Sequence, residues 1–539
     1  MMRLPIIDQQ ILTRGNATEQ FGGLNQNIKA AYNEWADMRN ISSRYFPAIG
    51  SRPDRGPVEL ELQEPHGIFY KNGLFYIDGA EAYYKGTQVF SVTQTDKILV
   101  GMGAYICVFP DNIMYNTYTG TYEHMDVTFD PSTAAFFAPL SDDSSYSKIT
   151  VSGIGNSFKK GDNVTISGCQ NEMFNGTHII IDADTDYIVL VGALDAAFTQ
   201  NSGLSFKRNI PVMDFVAERD NRLWGCSSLN HEVYCCKVGD PKNWYNYETG
   251  ADMAWAATVG SDGDFTGITK FSTYMMFFKE SAVHILRGDK PANFALTEKA
   301  LPGVRRGCER SVLSINETLY YVSRDGVYRY NGAIPQKISN SIVGEITDAV
   351  AGQYDSKYYL SCRLNGQRKL LVFDPAAGIW DIEDETQFLF AAYSEGMLHI
   401  VDQDNKLRSI YTNTETEDFE WLLESVEQTG GNISSGYVNS MSFNAMDCKY
   451  LSSLKFMVFL PQGSEMFVWT KCDDEPKWTK RGYVRSTRSR TYTIPIMPRR
   501  CTKYKIRLSG RGQFRLLGMS HMIEAGTEFN GNIHFGYRH

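Results

Sequence analysis

The chain has 539 residues, of which 13% are aromatic and 21% charged, with 46 glycines, 18 prolines and a formal net charge of −9. This length exceeds one ordinary domain and predicts three or four folding units, and the composition is typical of a soluble, turn-rich β protein. The negative charge gives no overall reason to expect nucleic-acid binding, and no apolar run reaches the length of a membrane span.

The N-terminal residues 1–60 differ from the rest of the chain. They begin without the apolar segment of a secretory signal peptide, so we expect the protein to fold in the compartment where it is made. Little of this segment could form a core by itself. We predict an extended arm that packs on the next domain or on a neighbouring subunit; an N-terminus that lies loosely on the surface is the alternative.

The next residues, 61–141, read as the first segment of a β-propeller. His66–Tyr70 and Leu74–Ile77 are short runs rich in aromatic and β-branched residues, and Lys71-Asn72-Gly73 forms a turn between them. Such runs are too short for helices and favour strands. A second unit of the same kind includes Lys97–Asp111.

Residues 142–208 contain five or six short strand patterns within about sixty residues, which predicts a small β-barrel or sandwich inserted into the propeller. The Lys160-Gly161-Asp162 turn before a strand is common in such barrels. We expect the insertion to act as a spacer or subunit contact, with carbohydrate binding as the alternative.

The segment 209–412 repeats one phrase. Gly239–Trp244 (Gly-Asp-Pro-Lys-Asn-Trp) returns as Gly288–Phe294 and more loosely as Asp374–Trp380. Tyr328–Gly332 lies roughly midway between the second and third of these motifs, so a turn motif recurs every 40 to 50 residues. That spacing matches a four-stranded propeller blade. Asp325-Gly326 and Asn365-Gly366 are typical of tight hairpin turns. We therefore predict an all-β protein built on a propeller of six or seven blades, with a β-sandwich array as the alternative.

The last region, 413–539, has long strands in which Lys and Arg alternate with apolar residues, so its charges should share one face of a C-terminal β-sandwich. From Lys477 to Arg515 the sequence has thirteen Lys and Arg and no Asp or Glu, which leaves −22 for the other residues. The candidate basic face consists of Lys477, Arg481, Arg485, Arg488, Arg490, Arg499, Arg500, Lys503, Lys505, Arg507, Arg511 and Arg515.

Two hypotheses account for this basic face. In a ring it could line a channel and contact DNA phosphates without reading sequence. Alternatively it could neutralise an acidic neighbour, such as the remainder of the next subunit, which we favour slightly because a conduit gains little from tight contacts. The aromatic residues in the stretch could stack on bases or pack the sheet; they are Trp478, Tyr483, Tyr492, Tyr504 and Phe514.

Motifs for enzymes, metals and cofactors are missing from the sequence. There is no His-Glu-x-x-His or Gly-x-Ser-x-Gly pattern, and the ten cysteines include no Cys-x-x-Cys pair. We therefore predict no enzyme activity, no cofactor and no metal, and we interpret the cysteines as buried, reduced thiols. Asp240, Asp289 and Asp374 recur at one blade position and are interpreted as turn caps. Asp262-Gly263-Asp264 lacks the full spacing of a calcium loop.

The order of several motifs resembles one known family. Gly22-Gly23-Leu24-Asn25 is followed by Asp37-x-x-Asn40, then by Tyr45-Phe46-Pro47 with Arg52-Pro53, then by the propeller. Near the other end come Ile494–Cys501 and Lys505–Gly512. This order resembles the tail nozzle proteins of short-tailed bacteriophages, also called tail hub or packaged-DNA stabilisation proteins.

The resemblance implies a structural virion protein, assembled in the bacterial cytoplasm, that forms a sixfold ring below the portal. Such a ring would continue the portal channel, retain packaged double-stranded DNA and conduct it at ejection. Its partners would be portal and adaptor proteins, tail fibres or appendages, and its own copies, with the N-terminal arm and the C-terminal sheet as candidate contacts. A propeller that binds a glycan for host attachment is the alternative, and a glycan-active enzyme with two carboxylates in a central pocket is a third hypothesis.

Overall fold

The computed structural model describes residues 13–28, 30–140, 143, 145–412, 418–429, 448–497 and 499–525. Regular structure within these residues is almost entirely β, and seven four-stranded sheets give the arrangement of a seven-bladed β-propeller. The predicted fold class is confirmed. The chain divides into two compact units, one comprising 1–59, 337–388 and 408–539 and the other 60–336 and 389–407.

The segment predicted as an extended arm forms short strands. They are β1 (Thr13–Thr18), β2 (Gly23–Leu24), β3 (Glu34–Arg39), β4 (Ile41–Ser42), β5 (Ile49–Ser51) and β6 (Val58–Glu61). Strands β1 to β5 join the C-terminal sheet of the same chain, and β6 is the last strand of the seventh blade.

The first two blades follow directly. The first consists of β7 (Pro65–Tyr70), β8 (Leu74–Asp78), β9 (Glu81–Tyr84) and β10 (Thr87–Ser91). The second consists of β11 (Ile98–Met102), β12 (Tyr105–Phe109), β13 (Ile113–Asn116) and β14 (Tyr122–His124).

The inserted domain is an eight-stranded sheet around its own core. Its elements are β15 (Val127–Phe129), β16 (Ala135–Pro139), β17 (Tyr146–Thr150), α1 (Ile154–Ser157), β18 (Asn163–Ser167), a 3-10 turn at Glu172–Phe174, β19 (Gly176–Asp184), β20 (Tyr187–Val191), β21 (Phe198–Gln200) and β22 (Ser205–Arg208). The insertion starts at Val127 rather than near 142, because β15 and β16 pair with β22, β17 and β21.

Three further blades lie before residue 338. They are formed by β23 (Phe215–Arg219), β24 (Arg222–Ser227), β25 (Glu232–Cys235) and β26 (Trp255–Thr258); by β27 (Gly267–Phe271), β28 (Tyr274–Phe278), β29 (Val283–Arg287) and β30 (Ala295–Lys299); and by β31 (Leu313–Ile315), β32 (Thr318–Ser323), β33 (Gly326–Tyr330) and β34 (Gln336–Lys337). Short 3-10 turns precede β30 and β31, at Pro291–Asn293 and Glu309–Ser311.

The sixth blade has the longest blade strands, β35 (Ile346–Tyr354), β36 (Lys357–Leu364) and β37 (Gln367–Asp374), with β38 (Ile379–Ile382) as the fourth. The seventh combines β39 (Phe388–Ser394), β40 (Met397–Asp402) and β41 (Lys406–Ser409) with β6. The Asn-Gly turn predicted between β36 and β37 is confirmed, because Asn365 and Gly366 both have positive φ, 51° and 79°.

Apolar side chains pack between successive blades. Phe75 and Ile106 belong to the cluster shared by the first and second blades, and Leu223 packs with Met102 between the second and third. Trp224 packs with Phe277 between the third and fourth. These residues come from strands with the short aromatic and aliphatic runs that predicted them, so blade packing follows the local sequence pattern.

The C-terminal sheet has eleven strands, of which β42 (Glu420–Ser425), β43 (Lys449–Cys472), β44 (Thr479–Pro495), β45 (Arg500–Cys501), β46 (Tyr504–Arg511) and β47 (Arg515–Ala525) come from the end of the chain. Strand β43 is its centre. The first half of β43 pairs with β47, the second half pairs with β46, and β44 follows its other edge. The register shifts between Leu460 and Glu465, where the two halves meet.

Gly23, in the Gly-Gly-Leu-Asn motif, provides a test of this packing. Its φ is +74°, and a Cβ atom there would lie 2.6 Å from the carbonyl oxygen of Trp380. We expect Gly23→Ala to lower the free energy of unfolding by about 2 kcal/mol or more, since left-handed backbone alone costs a side chain about 1–2 kcal/mol. Urea denaturation measures the loss.

Gly22→Ala is the matched control for Gly23→Ala. Gly22 does not have a positive φ, and the atom that its Cβ would meet first is in the flexible side chain of Glu34. Equal losses for the two variants would contradict the assignment of the effect to the Gly23 backbone.

Candidate interface of the C-terminal sheet

The predicted alternation of charge along the C-terminal strands is confirmed on β46. Tyr504, Ile506 and Leu508 are buried, while Lys505, Arg507 and Arg511 point to the opposite, partly exposed face. Period-two alternation produces this separation because successive side chains leave a strand on opposite sides. The basic residues of β46 therefore share one outward face. Arg490 on β44 instead lies opposite the buried Val458 of β43, so the prediction that all the charges share one face is wrong for this residue.

The structure distributes the twelve candidate residues over the sheet and its connections. Lys477 precedes β44, Lys503 precedes β46 and Arg499 precedes β45, and the Arg488 side chain lies outside the described residues. The remaining candidates lie on strands: Arg481, Arg485 and Arg490 on β44, Arg500 on β45, Lys505, Arg507 and Arg511 on β46, and Arg515 on β47.

Among the residues that the structure describes, five of the candidates form ion pairs. Arg507 lies 2.6 Å from Glu424, and Arg485 lies 3.1 Å from Glu465. Lys503 contacts both Glu427 and Asp474, and the other two pairs are Arg499 with Glu475 and Arg511 with Asp418. All of these acidic partners lie before Lys477 in the sequence, so pairing across the sheet supplies the negative charge that the basic stretch itself lacks.

Positive charge remains in excess at specific places. Lys477, Arg490 and Lys505 have no ion-pair partner among the residues that the structure describes. Lys505 lies directly opposite Lys471 on β43, and like charges facing each other across a sheet are unfavourable unless a further partner is present. An acidic partner brought by another molecule would relieve this repulsion.

The other basic candidates engage neutral groups. Arg481 donates from Nε to the Thr470 hydroxyl at 2.7 Å, and the Arg500 guanidinium lies 3.1 Å from the Cys448 sulfur. The Arg515 guanidinium stacks 3.7 Å from the centre of the Tyr45 ring. Arg515 thus contacts the N-terminal segment of its own chain.

The aromatic candidates are divided between core and surface. Tyr504 and Phe514 are buried, so they pack the sheet and are unavailable for stacking on a base. Tyr483 is 60% exposed, whereas Trp478 lies under the Arg507 guanidinium at 4.2 Å. Sequence alone does not distinguish these aromatic residues, because exposure depends on which sheet face each one occupies.

The N-terminal motifs fasten their segment to the rest of the first unit. Asn40 donates its side-chain amide to the Glu420 carbonyl at 2.7 Å and accepts from Arg52 Nε at 2.7 Å. Arg55 lies 2.7 Å from Asp384 and 2.9 Å from Glu383. These residues hold the segment against both the start of β42 and the end of the sixth blade.

Burial and opposite charges act against each other on the carboxylates of this network. Burial acts to raise the pKa of Asp384, but Arg55 and Arg52 outweigh it and lower that pKa to about 2. Burial raises the pKa of Glu383 despite the nearby Arg55. Nearby in the fold, burial raises the pKa of Asp381 to about 6, against the opposing influence of Ser43 and Lys357. The network therefore depends on its two arginines.

The recurring aspartates behave largely as turn caps. Asp240 accepts from the Lys242 backbone at 3.1 Å, and Asp374 accepts from the Ala376 and Ala377 backbones at 3.0 and 3.1 Å. Asp289 instead accepts from the Asn293 side chain at 2.5 Å. The interpretation is confirmed for Asp240 and Asp374, and Asp289 stabilises its turn through a side chain.

A pocket of about 410 Å³ bears on the hypothesis of a glycan-active enzyme. It is lined by residues at the starts of the first strands of neighbouring blades, including Asp96 and Asp214, and by Glu309 and Arg310. Arg310 lies 2.8 Å from Asp96 and also donates to the Leu389 carbonyl at 3.3 Å. Asp214 accepts from the Ser228 backbone at 2.6 Å. Asp96 and Asp214 thus already have partners within the fold.

No group of three or more His, Cys, Asp or Glu side chains placed to hold a metal ion occurs in the part of the chain that the structure describes. Within the same residues, no helix has the length and apolar character needed to cross a membrane.

Comparison with known proteins gives no family. No family model and no curated protein sequence matches the chain. Among solved structures, the computationally designed Ika8 protein is 9% identical with a TM-score of 0.33, covering 66% of this chain and 100% of its own. BamB from Moraxella catarrhalis is 9% identical with a TM-score of 0.28, covering 67% of this chain and 98% of its own. The N-terminal domain of Nup159 is 8% identical with a TM-score of 0.31, covering 67% of this chain and 94% of its own. At these values the similarities say nothing about function.

Proposed function

We propose that this chain is a structural virion protein, a tail nozzle or hub that assembles as a sixfold ring, continues the portal channel, retains packaged DNA and conducts it at ejection. The proposal rests on the order in which the N-terminal and C-terminal motifs occur along the chain, and on the contacts that the N-terminal motif residues make in the fold. Its mechanism is mechanical: β domains form the ring wall, and blade loops project as gates or as docking sites for fibres.

One observation carries the proposal. Residues of the N-terminal motifs, Gly23, Asn40 and Arg52, are buried or tightly packed and tie their segment to distant parts of the first unit. Their use is architectural, since they make backbone contacts and ion pairs rather than surround an open cleft. Motif residues that stabilise the fold, and do not line a cleft, are what we expect of a structural protein that must keep its shape under mechanical load.

We place the subunit contact on the C-terminal sheet and on the connection that precedes β44. The described strands of the N-terminal segment already pair within their own chain, so they are less suited to reach a neighbour. Lys477, Arg490 and Lys505 lack acidic partners in the described part of the chain. An acidic surface of the next copy fits them, because closed rings need two different, complementary surfaces on each subunit.

Charge reversal tests this contact. We expect the double variant Lys477→Glu/Arg490→Glu to raise the protein concentration needed for ring formation by about tenfold or more, because like charges would then face each other across the contact. Analytical ultracentrifugation measures the change. The control is Lys270→Glu/Lys299→Glu, which makes the same charge change at exposed propeller lysines. Equal weakening by both variants would contradict a specific contact.

A DNA-binding assay separates the two roles of the basic face. If its unpaired cations contact duplex DNA rather than a subunit, affinity for DNA will fall steeply with salt, and the slope will drop in the Lys477→Glu/Arg490→Glu variant. We expect weak binding with little difference between the variant and wild type. A large difference in DNA affinity between the variant and wild type would indicate that these residues contact DNA in the channel and do not form the subunit contact.

The glycan-binding alternative has one feature in its favour. A pocket of about 450 Å³ in the second unit combines Phe271 and Tyr274 with the exposed polar side chains of Arg287, Glu317 and Asn331. Aromatic rings beside hydrogen-bonding groups are typical of small-ligand sites. A glycan array with wild type and Arg287→Ala tests the alternative: saccharide binding lost in the variant would support it, and an array without signal would oppose it.

A further inference from the structure

The C-terminal sheet brings together two cysteines that are far apart in the sequence. Cys472 ends β43, and Cys501 lies in β45, which pairs with the start of β43. Both side chains are buried, and Cys472 lies directly opposite Tyr504, three residues after Cys501. The two cysteines are not in a Cys-x-x-Cys motif, so the sequence pattern does not predict this pair.

The backbone around the two cysteines is clamped. Asp473 Oδ1 accepts from the Thr502 backbone at 2.9 Å, from the Thr502 hydroxyl at 2.8 Å and from the Lys503 backbone at 3.1 Å. The Asp473 backbone donates to the Lys503 carbonyl at 2.9 Å. The residue after Cys472 is thus tied to the residues after Cys501, which holds the backbones of the two cysteines close together.

The charges around the pair favour reaction at one sulfur. The hydrogen bond from Cys501, followed by the positive charges of Arg481 and Arg499, lowers the pKa of the Cys472 thiol, although burial and Asp473 act in the opposite direction. The same hydrogen bond and burial raise the pKa of Cys501. We therefore expect Cys472 to react first, because the thiolate is the reactive form and a lower pKa favours it.

We propose that Cys472 and Cys501 are a disulfide-forming pair that is reduced when the protein folds and is oxidised when the protein meets a disulfide oxidant such as glutathione disulfide. The link would close the segment between β43 and β45. That segment includes the whole of β44 and seven of the twelve candidate basic residues. Oxidation would thereby fix the strand that carries much of the proposed contact surface.

The chemistry balances with glutathione disulfide as oxidant. The Cys472 thiolate attacks one glutathione sulfur, forms a mixed disulfide and releases one glutathione thiolate. Cys501 then loses its proton, attacks the Cys472 sulfur and releases the second glutathione thiolate. The two protons given up by the cysteines protonate the two released thiolates, so the protein loses two electrons and glutathione disulfide becomes two glutathione molecules.

Peptide mapping of the isolated full chain tests the pair and does not depend on ring formation. After incubation with glutathione disulfide, blocking of free thiols and digestion, we expect one linked peptide pair, Cys472 with Cys501, that disappears after reduction. The other eight cysteines should remain blocked as free thiols. Both cysteines remaining reduced in folded protein, or a link through Cys448 instead, would overturn the proposal.

Two variants sharpen this test. Cys501→Ser should stop at the first step and accumulate a glutathione adduct on Cys472, whereas Cys448→Ser should form the link as wild type does. Circular dichroism checks that each variant is folded. Wild-type mapping alone still decides the matter if Cys501→Ser fails to fold. An adduct spread evenly over all cysteines would contradict selective reactivity at Cys472.

Discussion

Replacing Arg55 by methionine is expected to lower the free energy of unfolding by about 3–5 kcal/mol, the usual loss when one partner of a buried ion pair is removed. Arg55 and Glu383 have side-chain exposures of 8% and 0%, and Arg55 also contacts Asp384. Methionine would preserve much of the volume but leave the buried Glu383 carboxylate without its cation and Asp384 with Arg52 alone. Urea denaturation followed by tryptophan fluorescence measures the loss.

Arg485→Met is the matched control for Arg55→Met. The Arg485 side chain is 68% exposed in its pair with Glu465, so its removal should cost no more than about 1 kcal/mol. If the two variants lose similar stability, the network around Arg55 does not anchor the N-terminal segment in the way described above.

The same network predicts acid sensitivity with a defined sign. Because Arg55 and Arg52 lower the pKa of Asp384 to about 2, the Asp384 carboxylate contributes stability that is complete above about pH 4, the ordinary value for an aspartate. That contribution should be lost as the pH falls through about 2. Urea unfolding measured between about pH 5 and pH 2 should show this loss of unfolding free energy in wild type, and the loss should be absent from Asp384→Asn.

Trp421→Ala is the second change with a large expected effect, a loss of about 3–5 kcal/mol from an emptied core position. Trp421 is 1% exposed, and its ring stacks on Phe514 with 3.8 Å between ring centroids. It also packs on Gly510, where a Cβ atom would lie 2.3 Å from the indole ring. The absence of a side chain at Gly510 makes room for the indole, so alanine at 421 leaves a cavity.

Two controls accompany Trp421→Ala in the same denaturation assay. Tyr483→Ala removes an aromatic ring that is 60% exposed, and should change stability by about 0.5 kcal/mol or less. Trp421→Phe keeps the stacked ring, so we expect it to retain more than half of the lost stability. If Tyr483→Ala lowers the free energy of unfolding as much as Trp421→Ala does, the assignment of the Trp421 face as the core of the sheet is contradicted.

The blades could be predicted because their signals are local. Short apolar runs, Asn365-Gly366 at a hairpin and the recurring Asp-Pro phrases each act within about forty residues. The prediction of six or seven blades left the number open, and seven are present. The start of the insertion was less visible, since strands β15 and β16 resemble blade strands and only their pairing assigns them to the inserted sheet.

The strand order of the C-terminal sheet could not be predicted from local sequence patterns, because its strands pair over long distances along the chain. Strand β1 pairs with β47 across almost the whole chain, with Thr13 opposite Glu524, and no spacing rule indicates that partner. For the same reason the sequence displayed an unbroken basic stretch, whereas the sheet places Glu424 beside Arg507. The alternating Glu420 and Glu424 on β42 were the available signal, but using it required the strand order.

Electron microscopy of the purified protein at high concentration tests the central proposal most directly. We predict closed sixfold rings with a central opening of roughly 20 Å or more, wide enough for duplex DNA. Single, unassociated subunits at every concentration up to the solubility limit would contradict a chain that forms a ring through its own surfaces.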